Sequence, residues 1–338
     1  MTRRTFLGSL AATAAGAPAP AAMGLSPDCF VLSKGPRTPY EYLEFAHALG
    51  AGGVQAILPP AFDAAYLRKV RQRVEETGMY LEITTMLPGA DTTEFERVLA
   101  AARECGAYCI RTVCLTGRRY ENFSTLEEWN AFVAASKAKI ERAARIAGRL
   151  RMPVGIENHK DWTLEEMAPL MKQYGSEYLG VCIDWGNNVA LLDDPVKLVE
   201  GLAPYTINSH IKDVAVEEYE DGFLLAEVPL GQGILDLPRM LAAIRKRRPQ
   251  TRFSLDMLTR NPLEIACLTD KYWATFPQRN GRYLARTLAM VRAHKPARPL
   301  QRLDGLDQPA RESLERRNIR DCLDYTRDQL FSTRKISE

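Results

Sequence analysis

The feature that most constrains how this chain folds is a series of four strand-like runs that each end in a potential metal ligand. The ligands are Glu157, Asp184, His210 and Asp256. The first two intervals between them are close to the roughly 30 residues that one strand–helix unit of a β/α barrel occupies, and the third leaves room for an inserted loop. Because the carboxyl ends of all barrel strands open onto one mouth, the sequence predicts that these side chains converge there.

Strand-like and helix-like segments alternate along most of the chain. We place the first strand at residues 29–32, and the eighth strand leads to Asp256. Strict alternation is typical of an α/β protein with a parallel sheet, and eight units predict a closed (β/α)8 TIM barrel over residues 28–295. An open, doubly wound sheet is the alternative, but it would not easily bring four consecutive strand ends to one point. The insertion at residues 214–230 predicts a hairpin around Asp221 and Gly222.

Two short patterns mark where helices begin. Thr125 is followed by Glu128, and Thr163 by Glu166, each with the spacing of a capping box. In this device the threonine hydroxyl and the glutamate carboxylate each accept a backbone N–H that the helix leaves unpaired. We therefore expect one helix from residue 125 and another from residue 163.

The first 22 residues have the pattern of a signal peptide. Arg3 and Arg4 precede Phe6 and Leu7, a stretch rich in alanine follows, and small residues at 19–22 are typical of a cleavage region. This pattern predicts export by the twin-arginine machinery and a periplasmic or otherwise exported protein. The segment is too short and too rich in Ala, Gly and Pro to span a bilayer.

A charged extension follows the barrel at residues 296–338. It begins rich in proline and arginine, and it then predicts a helix over about residues 311–330. Five side chains of this stretch would dock it on the barrel or on a partner chain: Leu314, Ile319, Cys322, Leu323 and Leu330. We see no sign of a second domain.

Composition excludes two classes of partner. The formal net charge of +3 gives no electrostatic footprint for nucleic acid, and the one basic run, at residues 245–248, falls at a helix end, where cations complement the helix dipole. No stretch is long and apolar enough for stable membrane insertion.

The seven cysteines include no Cys-x-x-Cys pair, although an exported protein could hold one disulfide among them.

The four strand-end side chains form a donor set dominated by hard oxygen atoms. Three carboxylates and one imidazole suit a single divalent ion, namely Mn²⁺, Mg²⁺ or Co²⁺, and would also admit Zn²⁺. Glu157, Asp184, His210 and Asp256 are therefore the predicted metal ligands.

Five short motifs resemble those of the xylose isomerase-like TIM barrels, the broad family of sugar phosphate isomerases and epimerases. They lie at residues 156–163, 181–187, 209–213, 229–233 and 254–263, and the resemblance extends over about residues 28–293. The family's four ligands are usually Glu, Asp, His and Glu. Asp256 departs from this pattern by one methylene, which shortens its reach by roughly 1.5 Å unless the backbone moves in. This puts the second proton-transfer role in doubt more than the metal site.

The resemblance implies a divalent-metal-dependent sugar isomerase or epimerase that removes a proton next to a carbonyl and returns it through an enediolate. Glu157 would be a ligand and the base, and Asp256 a ligand and second acid or base. Candidate substrate-binding residues lie on the loops after the strands: His159, Lys212, Arg260, Asn158 and Asn187.

Other functions remain open. The same site could carry out β-elimination on a 3-keto-glycoside, a lyase reaction that also begins by proton abstraction. A nuclease of the endonuclease IV branch would need many histidines for its zinc cluster, whereas this chain has four. A non-catalytic barrel would bind a sugar without exchanging its protons. The sequence leaves the oligomeric state open, a homo-oligomer included.

Overall fold

Eight parallel strands close into a barrel in the computed structural model, which describes residues 23–296 and 298–332. The eighth barrel strand pairs with the first, so the predicted (β/α)8 TIM barrel is confirmed. The strands in chain order are β1 (Gly24–Leu25), β2 (Gly53–Ala56), β3 (Tyr80–Thr84), β4 (Cys109–Val113), β5 (Val154–Glu157), β6 (Leu179–Asp184), β7 (Thr206–Ile211), β8 (Asp213–Tyr219), β9 (Gly222–Val228), β10 (Phe253–Leu255) and β11 (Leu263–Ile265). Strands β8, β9 and β11 form a separate antiparallel sheet, and the others form the barrel.

Helices surround the barrel, and both predicted capping boxes are present, at the starts of α5 and α6. Asp63, Asp194 and Asp236 cap three other helices by accepting a backbone N–H of the first turn. The helices are α1 (Pro39–Ala48), α2 (Ala64–Thr77), α3 (Thr93–Glu104), α4 (Arg119–Asn122), α5 (Leu126–Leu150), α6 (Leu164–Tyr174), α7 (Pro195–Leu202), α8 (Leu237–Arg247), α9 (Asp270–Trp273), α10 (Gly281–Ala293) and α11 (Gln308–Tyr325).

The first strand lies earlier than the sequence predicted. The strand placed at residues 29–32 is wrong, because Pro27–Phe30 forms a 3₁₀ turn and β1 precedes it. The barrel therefore begins before residue 28. The apolar run misled because Cys29 and Phe30 are buried within the turn, and a run this short does not distinguish a buried strand from another buried segment.

The predicted hairpin is confirmed and stands directly after the strand that carries His210. Strands β8 and β9 pair from Asp213 with Val228 to Tyr219 with Gly222, and β11 pairs with β9. The side chain of Glu227, on β9, is buried. The insertion thus contributes residues to the barrel mouth.

One buried carboxylate, that of Asp213, holds the backbone of the segment that follows this hairpin. Asp213 accepts backbone N–H groups of Val214, Gly231, Gly233 and Leu235 at 2.9 to 3.2 Å. A Cβ at Gly233 would lie 2.2 Å from Asp213 Oδ1, so this position requires glycine. The motifs at 209–213 and 229–233 are therefore two halves of one structure.

The C-terminal extension packs along the barrel beside β1 and β10. Helix α11 and the π turn Thr326–Leu330 bury four of the five predicted docking residues and half-bury Leu323. The carboxylate of Glu315, itself fully buried, accepts the backbone N–H groups of Leu32 and Ser33 at 2.8 and 2.9 Å. Asn318 donates to Thr259 Oγ1 at 2.9 Å. The extension thus ties down the loops after β1 and β10.

Three predictions concern the cysteines, the first 22 residues and membrane insertion. All seven cysteines are free, so the structure contains none of the disulfides that export would permit. The predicted signal peptide, residues 1–22, lies outside the described residues. Within residues 23–296 and 298–332, no helix has the length and apolar character needed to cross a membrane.

Candidate functional site

The four predicted ligands lie together at the carboxyl ends of neighbouring strands. Glu157 ends β5, Asp184 ends β6, His210 lies near the end of β7, and Asp256 directly follows β10. The register of β6 and β7 places Asp184 opposite His210. All four side chains are buried, and the most exposed of them, Asp256, is 5% exposed. A buried group of three acids requires compensating positive charge.

His210 joins the acids into one cluster. Donor atoms of Asp184, His210 and Asp256 lie within 4.8 Å of one another, and so do those of Glu157, Cys182 and His210. His210 Nδ1 lies 3.4 Å from Glu157 Oε2 and 3.9 Å from Asp256 Oδ2. Asp256 therefore reaches the cluster despite its shorter side chain.

Lys212 supplies positive charge between two of these acids. Its Nζ lies 2.6 Å from Asp256 Oδ2 and 2.9 Å from Asp184 Oδ2. Burial alone would lower the pKa of Lys212, but the two carboxylates outweigh it and hold that pKa well above its usual range. Burial likewise opposes ionisation of Asp256, and Lys212 nevertheless holds the pKa of Asp256 well below its usual range. Lys212 was predicted as a substrate ligand, whereas its ammonium is already paired.

Arg111, which the sequence reading missed, holds Glu157. It lies on β4, and its guanidinium donates from Nε to Glu157 Oε2 at 2.6 Å and contacts the same oxygen through Nη2. Burial would raise the pKa of Glu157, but Arg111 outweighs it and, with His210 and His159, lowers this pKa to about 2. The available signal was an arginine inside an otherwise apolar strand.

Two asparagines organise the strand ends. Asn158 donates to the carbonyl of Asp184 at 2.9 Å and accepts the N–H of Asp184 at 2.8 Å, so its amide ties β5 to β6. Asn187 donates to Glu157 Oε1 at 3.1 Å, and its Oδ1 accepts from Lys160 and, at 3.3 Å, from Lys212. Both amides were predicted to bind substrate, but their hydrogen bonds are made within the protein.

A cavity of about 320 Å³ opens onto the cluster. It is lined by Asp256 and Lys212 from the cluster and by loop residues that include His159, Lys160 and Arg260. This volume is at the lower end of the range for small-molecule sites. A larger cleft of about 450 Å³ lies between residues of α5, α6 and the segment 276–283, and none of the four predicted ligands lines it.

His159 and Arg260, both predicted to bind substrate, line this cavity. The Nδ1 of His159 donates to the carbonyl of Leu115 at 3.0 Å, which leaves Nε2 as the unprotonated nitrogen. Burial lowers the pKa of His159 to about 4, so its imidazole is neutral at neutral pH. Arg260 forms two hydrogen bonds with Glu227, at 3.0 and 2.5 Å.

A second polar layer lies beneath His210 and was also missed by the sequence reading. Gln55 Nε2 lies 2.8 Å from His210 Nε2 and donates to Glu82 Oε2 at 3.0 Å. Asn208 donates to the same oxygen at 3.0 Å. This layer occupies one ring nitrogen of His210 and thereby turns the other, Nδ1, toward the acids.

The residues present fit a divalent cation. His210 Nδ1 is buried and has no hydrogen-bond partner within the described part of the chain, and it faces Glu157 and Asp256. A buried polar atom that lies beside carboxylates and has no hydrogen-bond partner is typical of a metal ligand whose ion is absent. The ammonium of Lys212 lies between two of the same carboxylates, so a metal ion would share them with it.

Comparisons with known proteins agree with this architecture. The family model of the xylose isomerase-like TIM barrel matches residues 43–275. A protein of Pectobacterium atrosepticum named 3-oxo-isoapionate decarboxylase is 30% identical over 234 residues, which are 66% of this chain and 81% of that protein. The YihM protein of Escherichia coli is 25% identical over 158 residues, 47% of this chain and 45% of its own length.

Solved structures with the same fold include sugar epimerases. A D-psicose 3-epimerase structure aligns with a TM-score of 0.59 and 15% identity over 92% of this chain and 100% of that one. The 3-keto-D-glucoside 4-epimerase YcjR of E. coli aligns with a TM-score of 0.53 and 14% identity over 80% and 98%. At such identities the likeness extends to the fold alone. The match of the family model, together with the decarboxylase relative, shows that this chain belongs to the xylose isomerase-like TIM barrel family.

Proposed function

We propose that this chain is a sugar-modifying lyase that decarboxylates a 3-oxo sugar acid. The observation that carries the proposal is the pairing of both candidate proton-transfer residues with a cation. Glu157 is bound by Arg111, and Asp256 is bound by Lys212. A carboxylate whose pKa has been lowered in this way is a weak base.

Decarboxylation of a β-keto acid needs no base to begin. The electron pair of the bond between the carboxylate carbon and its neighbour moves toward the ketone oxygen, carbon dioxide leaves, and the carbon then takes a proton from water. The protein's task is to stabilise negative charge as it develops on the ketone oxygen, and fixed cations in a buried site do this well. Lys212 and Lys160 line the cavity and are suitably placed for it.

The Pectobacterium relative supports this choice of reaction. Its name describes decarboxylation of a 3-oxo sugar acid, and the alignment covers 81% of its length. We extend to this chain the reaction class only, and we propose that the substrate is a polyhydroxylated β-keto acid. His159 and Arg260, which line the cavity, would contact its hydroxyl groups.

We also propose that one divalent ion belongs to this site. Asp184, His210 and Asp256 would hold it, since their donor atoms already lie within 4.8 Å of one another, and Glu157 would lie beside them, 3.4 Å from His210 Nδ1. A bound divalent ion would act as a Lewis acid toward the substrate's carbonyl. Mn²⁺, Mg²⁺, Co²⁺ and Zn²⁺ are the candidates that this donor set admits.

An isomerase or epimerase acting through an enediolate is the second candidate. The supporting observation is that Glu157, Asp184, His210 and Asp256 converge in an arrangement that differs from the family's usual ligands only at Asp256, on a fold shared with sugar epimerases. Its weakness is that the base and the returning acid would both be carboxylates held by cations. β-Elimination on a 3-keto-glycoside needs a base too and has the same weakness.

Product analysis separates these candidates. Purified protein is incubated with 3-oxo-isoapionate and, separately, with D-fructose in deuterated water, and released carbon dioxide and the NMR spectra of the sugars are recorded. We expect carbon dioxide from the keto acid and no deuterium exchange in fructose. Exchange or a changed stereocentre in fructose without decarboxylation would favour the epimerase. If neither reaction is detected, the remaining hypothesis is a non-catalytic barrel that binds a sugar.

The N-terminal pattern supports a proposal about location. We propose that residues 1–22 direct export through the twin-arginine machinery. The test is a double substitution, Arg3→Lys with Arg4→Lys, expressed beside the parent sequence in a host with this machinery. We expect the parent in the periplasmic fraction and the variant in the cytoplasm; equal distribution of the two would contradict export by this route.

A further inference from the structure

Lys160 is a buried cation without an acidic partner. Its side chain is 5% exposed, and its Nζ donates to Asn187 Oδ1. Within residues 23–296 and 298–332 it forms no ion pair with a carboxylate, although buried charges in proteins are normally paired. Burial, and next the ammonium of Lys212, lower the pKa of Lys160 to about 8, as expected for a cation that lacks a counter-charge.

The neighbouring acids that could neutralise Lys160 are already matched. Glu227 is bound twice by Arg260, and Asp184 faces Lys212. Every other cation that lines the cavity has a carboxylate partner, since Arg118 also pairs with Glu121. Among the described residues, Lys160 is therefore the cation of this lining that no carboxylate pairs; the lining also includes Asp28, whose pKa burial raises to about 6.

The backbone holds Lys160 in place. Its φ of +62° lies in the left-handed region, which residues with a side chain seldom adopt. The carbonyl of Lys160 accepts the N–H of Arg119 at 3.0 Å, which holds this conformation from the start of helix α4. Unfavourable backbone conformations that the surrounding structure maintains are concentrated at binding sites.

We propose that Lys160, held in place by Asn187, forms an anion subsite that receives the carboxylate of a sugar acid. The inference rests on the proposed function, and it adds the group that selects acids over neutral sugars. A single unpaired ammonium balances a single negative charge, which matches a carboxylate better than a doubly charged phosphate. Lys160 and Lys212 both reach Asn187 Oδ1, so charge moving from the carboxylate to the ketone oxygen stays beside an ammonium.

Calorimetry with a matched pair of probes tests this subsite without requiring turnover. D-Gluconate and D-glucitol have the same six-carbon skeleton and differ in one carboxylate, and each is titrated into the full-length protein as purified. The variants are Lys160→Met, which removes the charge at similar length, and Lys160→Arg, which keeps it. Lys172→Met, an exposed lysine on α6, is the control.

We expect the wild type and Lys172→Met to bind gluconate at least about tenfold more tightly than glucitol. Lys160→Met should lose this preference while its glucitol affinity stays unchanged, and Lys160→Arg should keep most of it. An equal affinity for the two probes in the wild type, or an undiminished preference in Lys160→Met, would overturn the subsite. So would a borohydride-reduced adduct on Lys160 after incubation with 3-oxo-isoapionate, because the lysine would then be a covalent nucleophile.

This outcome is independent of the proposed reaction. A wild type that selects gluconate through Lys160 but releases no carbon dioxide from 3-oxo-isoapionate keeps the subsite and rejects decarboxylation. A wild type that decarboxylates but shows no charge preference rejects the subsite alone.

Discussion

Individual cations determine whether the carboxylates of this site can act as bases. Glu157 and Asp256 have the positions of a proton-transfer pair, yet Arg111 and Lys212 hold both as carboxylates. A neutral residue at position 111 or 212 would leave the same acids available as bases. The chemistry of the site therefore depends as much on its cations as on the four residues that end the strands.

Removing the guanidinium of Arg111 should destabilise the protein. In Arg111→Met, Glu157 becomes a buried charge without its main partner, which costs about 3 kcal/mol of unfolding free energy. The folded pKa of Glu157, about 2, lies below its ordinary 4.5. The ion pair therefore stabilises the fold fully above pH 4.5, and the difference from the wild type should shrink as pH falls from 4.5 to 2.

Urea denaturation at several pH values measures this difference. Arg145→Met is the control, because Arg145 forms an exposed ion pair with Glu141 and should contribute less than about 0.5 kcal/mol. Equal destabilisation by the two variants at neutral pH would show that the buried pair has no special role.

Gluconate binding should weaken at alkaline pH. With a pKa of about 8, Lys160 is charged below that pH in the free protein and must take up a proton to bind an anion above it. We expect the dissociation constant to rise by up to about tenfold per pH unit beyond pH 8. Calorimetry from pH 6.5 to 9.5 measures the profile, with Lys160→Arg as the variant whose affinity should stay constant. A flat profile in the wild type would contradict the assignment.

At the scale of elements, the Asp213 loop requires a residue without a side chain. Gly233→Ala would place a methyl group 2.2 Å from a carboxylate oxygen, and we expect a loss of about 2 kcal/mol or more. Gly148→Ala is the matched control, because nothing lies within 4 Å of its Cβ position on α5, and it should stabilise the protein by about 0.5–1 kcal/mol. Chemical denaturation measures the change in unfolding free energy of each variant. An unchanged unfolding free energy in Gly233→Ala would contradict the close approach of Asp213.

Helix α11 should stabilise the turn that follows β1. Glu315→Ala leaves the N–H groups of Leu32 and Ser33 without their acceptor and should cost about 2 kcal/mol. Hydrogen exchange of residues 31–35 should accelerate at the same time. Asp321→Ala, an exposed position on the same helix, is the control and should leave exchange in this segment unchanged. Unaltered exchange in Glu315→Ala would mean that the turn is held by other contacts.

For the whole molecule, a metal ion that binds only the folded state should raise thermal stability. At a concentration of Mn²⁺ one hundred times its dissociation constant, the gain is about 2.7 kcal/mol, which corresponds to several degrees in Tm. We expect this shift in the wild type and in His47→Ala, whose histidine is exposed on α1, and its loss in His210→Ala. Elemental analysis of the same samples counts the bound ions. A shift that survives in His210→Ala would place the ion elsewhere.

The sequence by itself determined the barrel and the convergence of four side chains. Alternating apolar periodicity specifies strand and helix locally, and eight repeats can close in few ways. Because each ligand ends a strand, its position follows from that topology. The first strand was misplaced because a short buried turn has the same apolar composition as a short buried strand.

Only the tertiary structure decided the charge state of the site. Arg111, Gln55 and Glu82 come from strands far from the ligands in sequence, and no local pattern announces which acid a distant cation will meet. The same holds for Lys160. It lacks a carboxylate partner among the described residues, and this depends on all of the side chains that folding places around it. Electrostatic interactions act through space between groups that folding brings together, whereas periodicity is read along the chain, and this is why the fold was predictable and the chemistry of its acids was not.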